Sequence, residues 1–294
     1  MQKELLTKFQ EAERRAQSWY EFSGTLGAKL RRILFLKGKY LVFTLYRLGL
    51  KKEGTAKLFF GKHMRLPLRD PNALRMYFMG TLGAPRERAL TAFLIRTLKK
   101  DDVFYDIGAN FGFYAFLAET LAGEVHAFEP NERIYAYLKK NAAKNIETIQ
   151  MAVSNEVGMV TFFDSIEDSS SSSLIQSEDR EAEEYASNEV KATTLDTYTK
   201  DHTPPTILKI DVEGAERLVL EGGKETLTTH KPTIILEVWG KERGKKHHKE
   251  AVSLLHTMGY VPHHITEDGT LERLGEVDFD GITRYENIVF TRPS

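Results

Sequence analysis

The sequence predicts an α/β fold, a mostly parallel sheet with helices on both faces, preceded by an N-terminal helical extension. Three observations carry this. Short apolar strands alternate with helical spacings from about residue 102 to the C-terminus. Within that region, Asp102–Gly123 reads DVFYDIGANFGFYAFLAETLAG, a strand, a glycine-punctuated turn and a helix in succession. The first 53 residues show only the 3- to 4-residue spacing of helices.

In chain order, Leu5, Leu6, Phe9, Ala12, Ala16, Trp19 and Tyr20 set out an amphipathic helix. A second segment, 28–50, interleaves apolar residues with Lys29, Arg31, Arg32, Lys37, Lys39 and Arg47. From Phe22 to Lys52 there are eight Lys/Arg and no acid. Such a composition suits either a helix at an anionic lipid surface or a helix docked on its own domain with a solvated basic face. No nucleic-acid module accompanies the charge, so no specific nucleic acid is expected. Residues 54–85 hold Gly61, Pro67, Pro71, Gly80, Gly83 and Pro85 and read as an irregular connection, with a short strand near Lys57–Phe60. The division expected is a helical, basic extension over 1–84 and an α/β domain over 85–294.

A helix over 87–99 leads into the strand Val103–Ile107. Strands are then expected at 124–128, 146–153, 157–163, 190–194, 206–210, 233–238, 260–265 and 287–291. Helices are expected at 131–144, 215–227 and 249–258. The segment 164–189, with nine acids against Arg180 and five serines at 169–173, reads as a loop over the strand ends or a surface insertion.

Composition bounds the function. Hydrophobic content of 41% and charged content of 28% describe a globular chain rather than a disordered one. With no cysteine, disulfides, thiolate metal sites and a Cys nucleophile are excluded, which fits a reducing compartment. MQKELLTKFQEAERR lacks the apolar core of a secretory signal, and no run of about 18 apolar residues exists. A cytoplasmic location, peripheral at the membrane if residues 22–52 bind lipid, is the expectation.

Ligands of parallel sheets bind beyond the carboxyl ends of the strands. Three such ends carry glycines or acids: Asp106, Gly108, Asn110 and Gly112; then Glu129, 23 residues after Asp106; then Lys209, Asp211, Glu213, Gly214 and Glu216 in ILKIDVEGAE. An acid at the offset of Glu129 can accept both hydroxyls of a ribose and would repel a 2′-phosphate. A dinucleotide fingerprint would want glycines at 110 and 113, where Asn110 and Phe113 stand, so an NAD-dependent oxidoreductase is disfavoured.

DIGANFGFYAFLAE, HAFEP, Leu138 and Asn141, ILKIDVEGAE and IILEVWG, in this order over about Asp101–Trp239, resemble the FkbM family of methyltransferases. The usual first motif of class I S-adenosylmethionine-dependent methyltransferases has glycine where Asn110 stands. The resemblance implies a Rossmann-like seven-stranded sheet with a reversed last strand, S-adenosylmethionine as methyl donor, and O-methylation of a hydroxyl-bearing glycan, glycolipid or natural-product acceptor. It places Asp106, Gly108, Asn110 and Gly112 along the methionine and ribose of the cofactor, Glu129 on the ribose, Met151 and Ala152 beside the adenine, and Asp211 and Glu213 where cofactor and acceptor meet.

An alcohol acceptor must lose its proton as it attacks, and a carboxylate or His can take it. Asp211 and Glu213 are the leading candidates; Glu237, His247 and His248 follow. Asp211 could instead cap the helix that follows it. Lys209 could simply pair with a neighbouring acid, and Glu216 could be a solvated helix residue. Asp211, Glu213 and Glu237 are oxygen donors suited to Mg²⁺ or Ca²⁺, but no spacing fixes such a site and no metal is expected. The adjacent pair His247–His248 reads as a solvated polar turn. The alternative from another class is a non-catalytic nucleotide-binding or scaffold module with the same fold.

Overall fold

The computed structural model describes residues 1–21, 37–143, 145–165, 172–175, 185–240 and 245–293. Most of the serine-rich acidic segment and residues 22–36 of the basic segment therefore lie outside the described residues. The chain forms two compact units, Met1–Arg88 and Ala89–Ser294.

The first unit begins with helix α1 (Gln2–Glu21), which buries Leu5, Phe9, Ala12 and Ala16 at helical spacing as expected. Its buried Glu13 accepts a 2.6 Å hydrogen bond from the Thr81 hydroxyl and lies 3.7 Å from Arg88. Helix α2 (Lys37–Arg47) follows. The stretch read as irregular is ordered: β1 (Glu53–Lys57) and β2 (His63–Pro67) pair as an antiparallel hairpin. Helix α3 (Pro71–Met79) is capped by Asp70, whose carboxylate accepts the N–H of Asn72 and Ala73. Alternation in both strands buries Ala56, Met64 and Leu66, a period-2 pattern too short to stand out among the glycines and prolines.

In the second unit, most of helix α4 (Pro85–Thr97) leads into β3 (Val103–Ile107), then α5 (Phe113–Glu119), β4 (Glu124–Phe128), α6 (Glu132–Asn141) and β5 (Ile146–Ile149). The segment expected as one strand over 146–153 divides, because β6 (Ala152–Val153) joins β7 (Gly158–Ser165) and β8 (Tyr185–Thr193) in a separate three-stranded sheet. After α7 (Leu195–Tyr198) come β9 (Ile207–Ile210), α8 (Glu216–Glu221), α9 (Lys224–His230), β10 (Thr233–Trp239), α10 (Lys245–Thr257), β11 (Val261–Ile265), β12 (Leu271–Arg273) and β13 (Tyr285–Thr291). The helix expected at 215–227 breaks into α8 and α9 at Gly222. A Cβ there would stand 2.0 Å from the Ser154 carbonyl oxygen, so only glycine permits that approach.

The main sheet runs β12-β11-β13-β10-β9-β3-β4-β5. The five strands from β10 to β5 pair in parallel, and β13 runs antiparallel between β10 and β11. This is the expected sheet with a reversed strand, to which the three-residue β12 adds an eighth at the edge. On one face Tyr105, Ile107, Leu208, Ile210, Ile234 and Leu236 pack with Val219, Leu220, Leu227, Val252 and Leu255 of α8, α9 and α10. Strand alternation sends Asp106, Lys209 and Glu237 to the opposite face, where α5 packs against β3 and β4.

Candidate functional site

The turn after β3 is built by close backbone approach. The N–H groups of Gly108 and Ala109 both donate to the Phe128 carbonyl, at 3.1 and 2.9 Å. Gly108 has φ 81°, and a Cβ on it would lie 1.9 Å from the Asp211 carbonyl oxygen. The turns after β3 and β9 thus touch through a residue that must be glycine. Asn110 takes φ 51°, a left-handed conformation that asparagine tolerates better than most side chains, and its Oδ1 accepts the Phe111 N–H at 2.7 Å. This explains why asparagine can stand where the usual motif has glycine. Gly112, at φ 92°, precedes α5.

Glu129 lies one residue beyond β4 and against that turn. Its Oε2 accepts the Asn110 N–H and its Oε1 the Asn131 N–H, both at 2.9 Å. Burial pushes its carboxyl up to about 7, opposed by those two hydrogen bonds. Beyond β5, Met151 packs on the central core while Ala152 is buried at the start of β6.

The third group comes from β9 and β10. Register pairs Ile210 with Leu236, so Asp211 and Glu237 emerge side by side at the carboxyl ends of parallel neighbours. Carboxylate oxygens of Asp211, Glu213 and Glu237 all lie within 4.8 Å of one another. Lys209 Nζ stands 3.0 Å from Asp211 and 3.3 Å from the fully buried Asp106, and 5.3 Å from the centre of the Tyr114 ring. Burial raises the Asp106 carboxyl above its usual range, and the Lys209 ammonium opposes that shift. The carboxylate of Asp106 is therefore held by a lysine beneath the glycine turn. Glu237 Oε2 accepts the indole N–H of Trp239 at 2.7 Å.

The junction after β9 answers two alternatives left open by the sequence. Asp211 does not cap α8: the cap position is Ala215, without a side-chain hydrogen bond, and the Asp211 carboxylate meets Lys209 instead. Glu216 is not solvated; it is fully buried, and its Oε1 accepts the N–H of Gly214 at 3.1 Å and of Val212 at 3.3 Å. Glu213 sits between those two amides at φ 54°. The histidine pair also differs from expectation, since both residues lie in α10 rather than a polar turn. His247 is half-buried, whereas His248 is fully buried with Nδ1 3.3 Å from Glu216 Oε2. Ser173, the last of the five serines, donates from Oγ to the Val212 carbonyl at 3.0 Å.

Two carboxylate groupings thus flank the Gly108 turn, a single buried acid on the β4 side and three acids with one ammonium on the β9–β10 side. The first has lone pairs that can accept a pair of hydroxyls. The second can take a proton from an acceptor hydroxyl or gather a hard divalent cation.

Sheet order, glycine turn and strand-end acids define an α/β protein of mostly parallel sheet whose glycines and acids gather at the carboxyl ends of its strands. Residues 106–262 match the model of the methyltransferase FkbM domain, more than half of the chain. The chain belongs to the FkbM methyltransferase family. A curated relative, the hexuronic acid methyltransferase AglP of Haloferax volcanii, is 28% identical over 141 residues, covering 46% of this chain and 56% of that protein. The FkbM methyltransferase of Methylobacillus flagellatus KT aligns with a TM-score of 0.43 at 14% identity, over 71% of this chain and 51% of that one. M. jannaschii TYW2, solved with AdoMet, aligns with a TM-score of 0.41 at 14% identity, over 82% and 87%. The chain therefore spans little more than half the length of the curated relative. Family membership implies S-adenosylmethionine as the methyl donor.

Proposed function

We propose that this protein is an S-adenosylmethionine-dependent O-methyltransferase acting on a neutral hydroxyl of a glycan-type acceptor. The observation that carries the reading is the pairing of Glu129 on one side of the Gly108 turn with the Asp211–Glu213–Glu237 cluster on the other. The donor set suits the cofactor. Glu129 offers two carboxylate oxygens at a buried strand end, each already fixed by one backbone N–H and each with a second lone pair for a ribose hydroxyl.

When bound, the cofactor supplies a methyl group on a sulfonium. The protein's own work is positioning and proton removal. In this reading Asp106, Gly108, Asn110 and Gly112 shape the methionine and ribose side, the Asp106 carboxylate acting through Lys209. Met151 and Ala152 flank the adenine. Glu213 takes the proton of the acceptor hydroxyl. Asp211, whose charge is shared with Lys209, orients that hydroxyl together with Glu237.

The charge of the cluster bears on the acceptor. Three carboxylates facing one ammonium would repel a carboxylate nucleophile, which in any case needs no base. A hydroxyl is attracted as a donor and needs one. The name of the Haloferax relative supports a sugar acceptor without fixing the atom. p-Nitrophenyl β-D-glucuronide, which carries both groups, separates the two. Methyl-labelled S-adenosylmethionine should yield an alkali-stable methyl ether. Label released as methanol by mild alkali would show ester formation and overturn the hydroxyl assignment. No binding of S-adenosylhomocysteine would instead favour a non-catalytic module.

A peripheral contact with anionic bilayer is proposed for the described part of the basic segment. Leu41, Leu48 and Leu50 are exposed beside exposed Arg47, Lys51 and Lys52, an apolar and basic combination suited to anionic headgroups. The full chain should sediment with phosphatidylserine-containing vesicles and not with phosphatidylcholine alone. Equal behaviour with both would remove the proposal.

A further inference from the structure

The Asp211–Gly214 junction carries the acids assigned above, and its backbone is fixed from several sides. The Asp211 N–H donates to the Ile107 carbonyl at 3.0 Å. The Val212 carbonyl accepts the Ser173 hydroxyl. The N–H groups of Val212 and Gly214, which bracket the left-handed Glu213, both end on one oxygen of Glu216. The other oxygen of that fully buried carboxylate faces Nδ1 of the equally buried His248 at 3.3 Å.

The two buried atoms face each other without forming a hydrogen bond and have no other hydrogen-bond partner among the described residues, so each is costly to enclose without the other beside it. Gly214, at φ 106°, has open space where a side chain would be, so nothing on that side confines the loop. Glu216 restrains the two amides on either side of Glu213. Without it Glu213 could relax from its left-handed backbone toward ordinary values, and its carboxylate would swing away from Asp211 and Glu237.

We infer that Glu216 is a positioning residue for methyl transfer, holding Glu213 in its left-handed conformation through the Val212 and Gly214 amides, with His248 orienting Glu216 from α10. The inference rests on the role proposed for Glu213. It extends the site to two residues that touch neither cofactor nor acceptor, and it assigns them to the acceptor side alone. Glu129 is held by the Asn110 and Asn131 amides, whereas the clamp acts on those of Val212 and Gly214.

The test uses the full chain with Glu216→Ala, Glu216→Gln and His248→Ala. It reads S-adenosylhomocysteine affinity by calorimetry, kcat and KM for methyl transfer to p-nitrophenyl β-D-glucuronide, and amide hydrogen exchange by mass spectrometry. Glu216→Ala should lower kcat at least tenfold and speed exchange over residues 212–214, while cofactor affinity stays within about twofold. Glu216→Gln keeps an acceptor for both amides and should restore most of kcat. His248→Ala should lower kcat several-fold with the same unchanged cofactor affinity. The inference is overturned if Glu216→Ala leaves exchange at 212–214 unchanged, if cofactor affinity falls in step with kcat, or if Glu216→Gln is as poor as Glu216→Ala. The exchange arm needs neither cofactor nor acceptor. A parent protein that fails to methylate the glucuronide or bind the cofactor therefore bears on the proposed function and not on the clamp.

Discussion

Glu129 Oε2 accepts the backbone N–H of Asn110 at 2.9 Å, tying the end of β4 to the glycine turn that follows β3. That bond fixes the acid at the buried end of β4, where the ribose contact is proposed, while burial raises its carboxyl against the lowering effect of the bond.

With its carboxyl raised from 4.5 to about 7 by burial, Glu129 favours the folded state most below about pH 4.5. That contribution is lost as pH rises through about 7. Ribose hydroxyls donate to the ionised form, so cofactor binding should release a proton at pH 6. Affinity for S-adenosylhomocysteine should rise roughly tenfold between pH 6 and 8. Calorimetry in buffers of different ionisation enthalpy measures the proton release. Glu129→Gln should weaken binding and flatten the pH dependence; an unaltered pH profile in that variant would assign the proton elsewhere.

Lys209 stands between Asp106 and Asp211. Lys209→Met should destabilise by about 3–5 kcal/mol, the cost of leaving a buried carboxylate uncompensated. Asp106→Asn added to it should recover part of the loss. Urea unfolding of the four members of that cycle gives the coupling, and a double variant no more stable than Lys209→Met alone would mean that the buried charge is not the cause.

Glu213 pays for its left-handed backbone. Glu213→Gly should raise stability by about 1 kcal/mol by removing that strain while lowering methyl transfer by roughly 10²–10⁴-fold if the proposed general base is lost with it. Thermal unfolding and a transfer assay on the same preparation report both. A less stable variant would contradict the strain, and an active one the role.

Two glycines should respond differently to alanine. At Gly108 the new Cβ meets the Asp211 carbonyl oxygen, so the β3 and β9 turns must separate, costing about 3 kcal/mol or more in stability. At Gly214 nothing lies within 4 Å, so only the backbone conformation resists, at about 1–3 kcal/mol. Equal losses in urea unfolding would deny the close approach at Gly108.

Much of the candidate site is legible because a parallel sheet gathers ligand-facing residues at strand ends, and strand ends can be read from apolar runs. Asp106, Gly108, Asn110 and Glu129 were found that way, and the structure brings the last two into hydrogen bond. Asp211 and Glu213 were legible as a strand-to-helix junction, but their meeting with Glu237 depends on the Ile210–Leu236 register, which no local pattern encodes. For Glu216 the sequence leaves a solvated position open, and for His248 it favours a polar turn, because a charged residue in a first helical turn, or in the run GKKHHKE, ordinarily faces water. Only the packing of α8 against α10 encloses them. The break at Gly222 was hidden for a similar reason, as its cause is the distant Ser154 carbonyl. The β1–β2 hairpin was missed because five-residue strands give alternation too little length to show.

The glycine turn and Glu129 are proposed to form the cofactor site of a working methyltransferase. That assignment is tested most directly by titrating the full chain with S-adenosylhomocysteine at pH 8 in a calorimeter, beside Glu129→Ala. The parent should show saturable one-to-one binding, weakened at least tenfold in the variant. Binding of equal strength in both, or none in the parent, would contradict it.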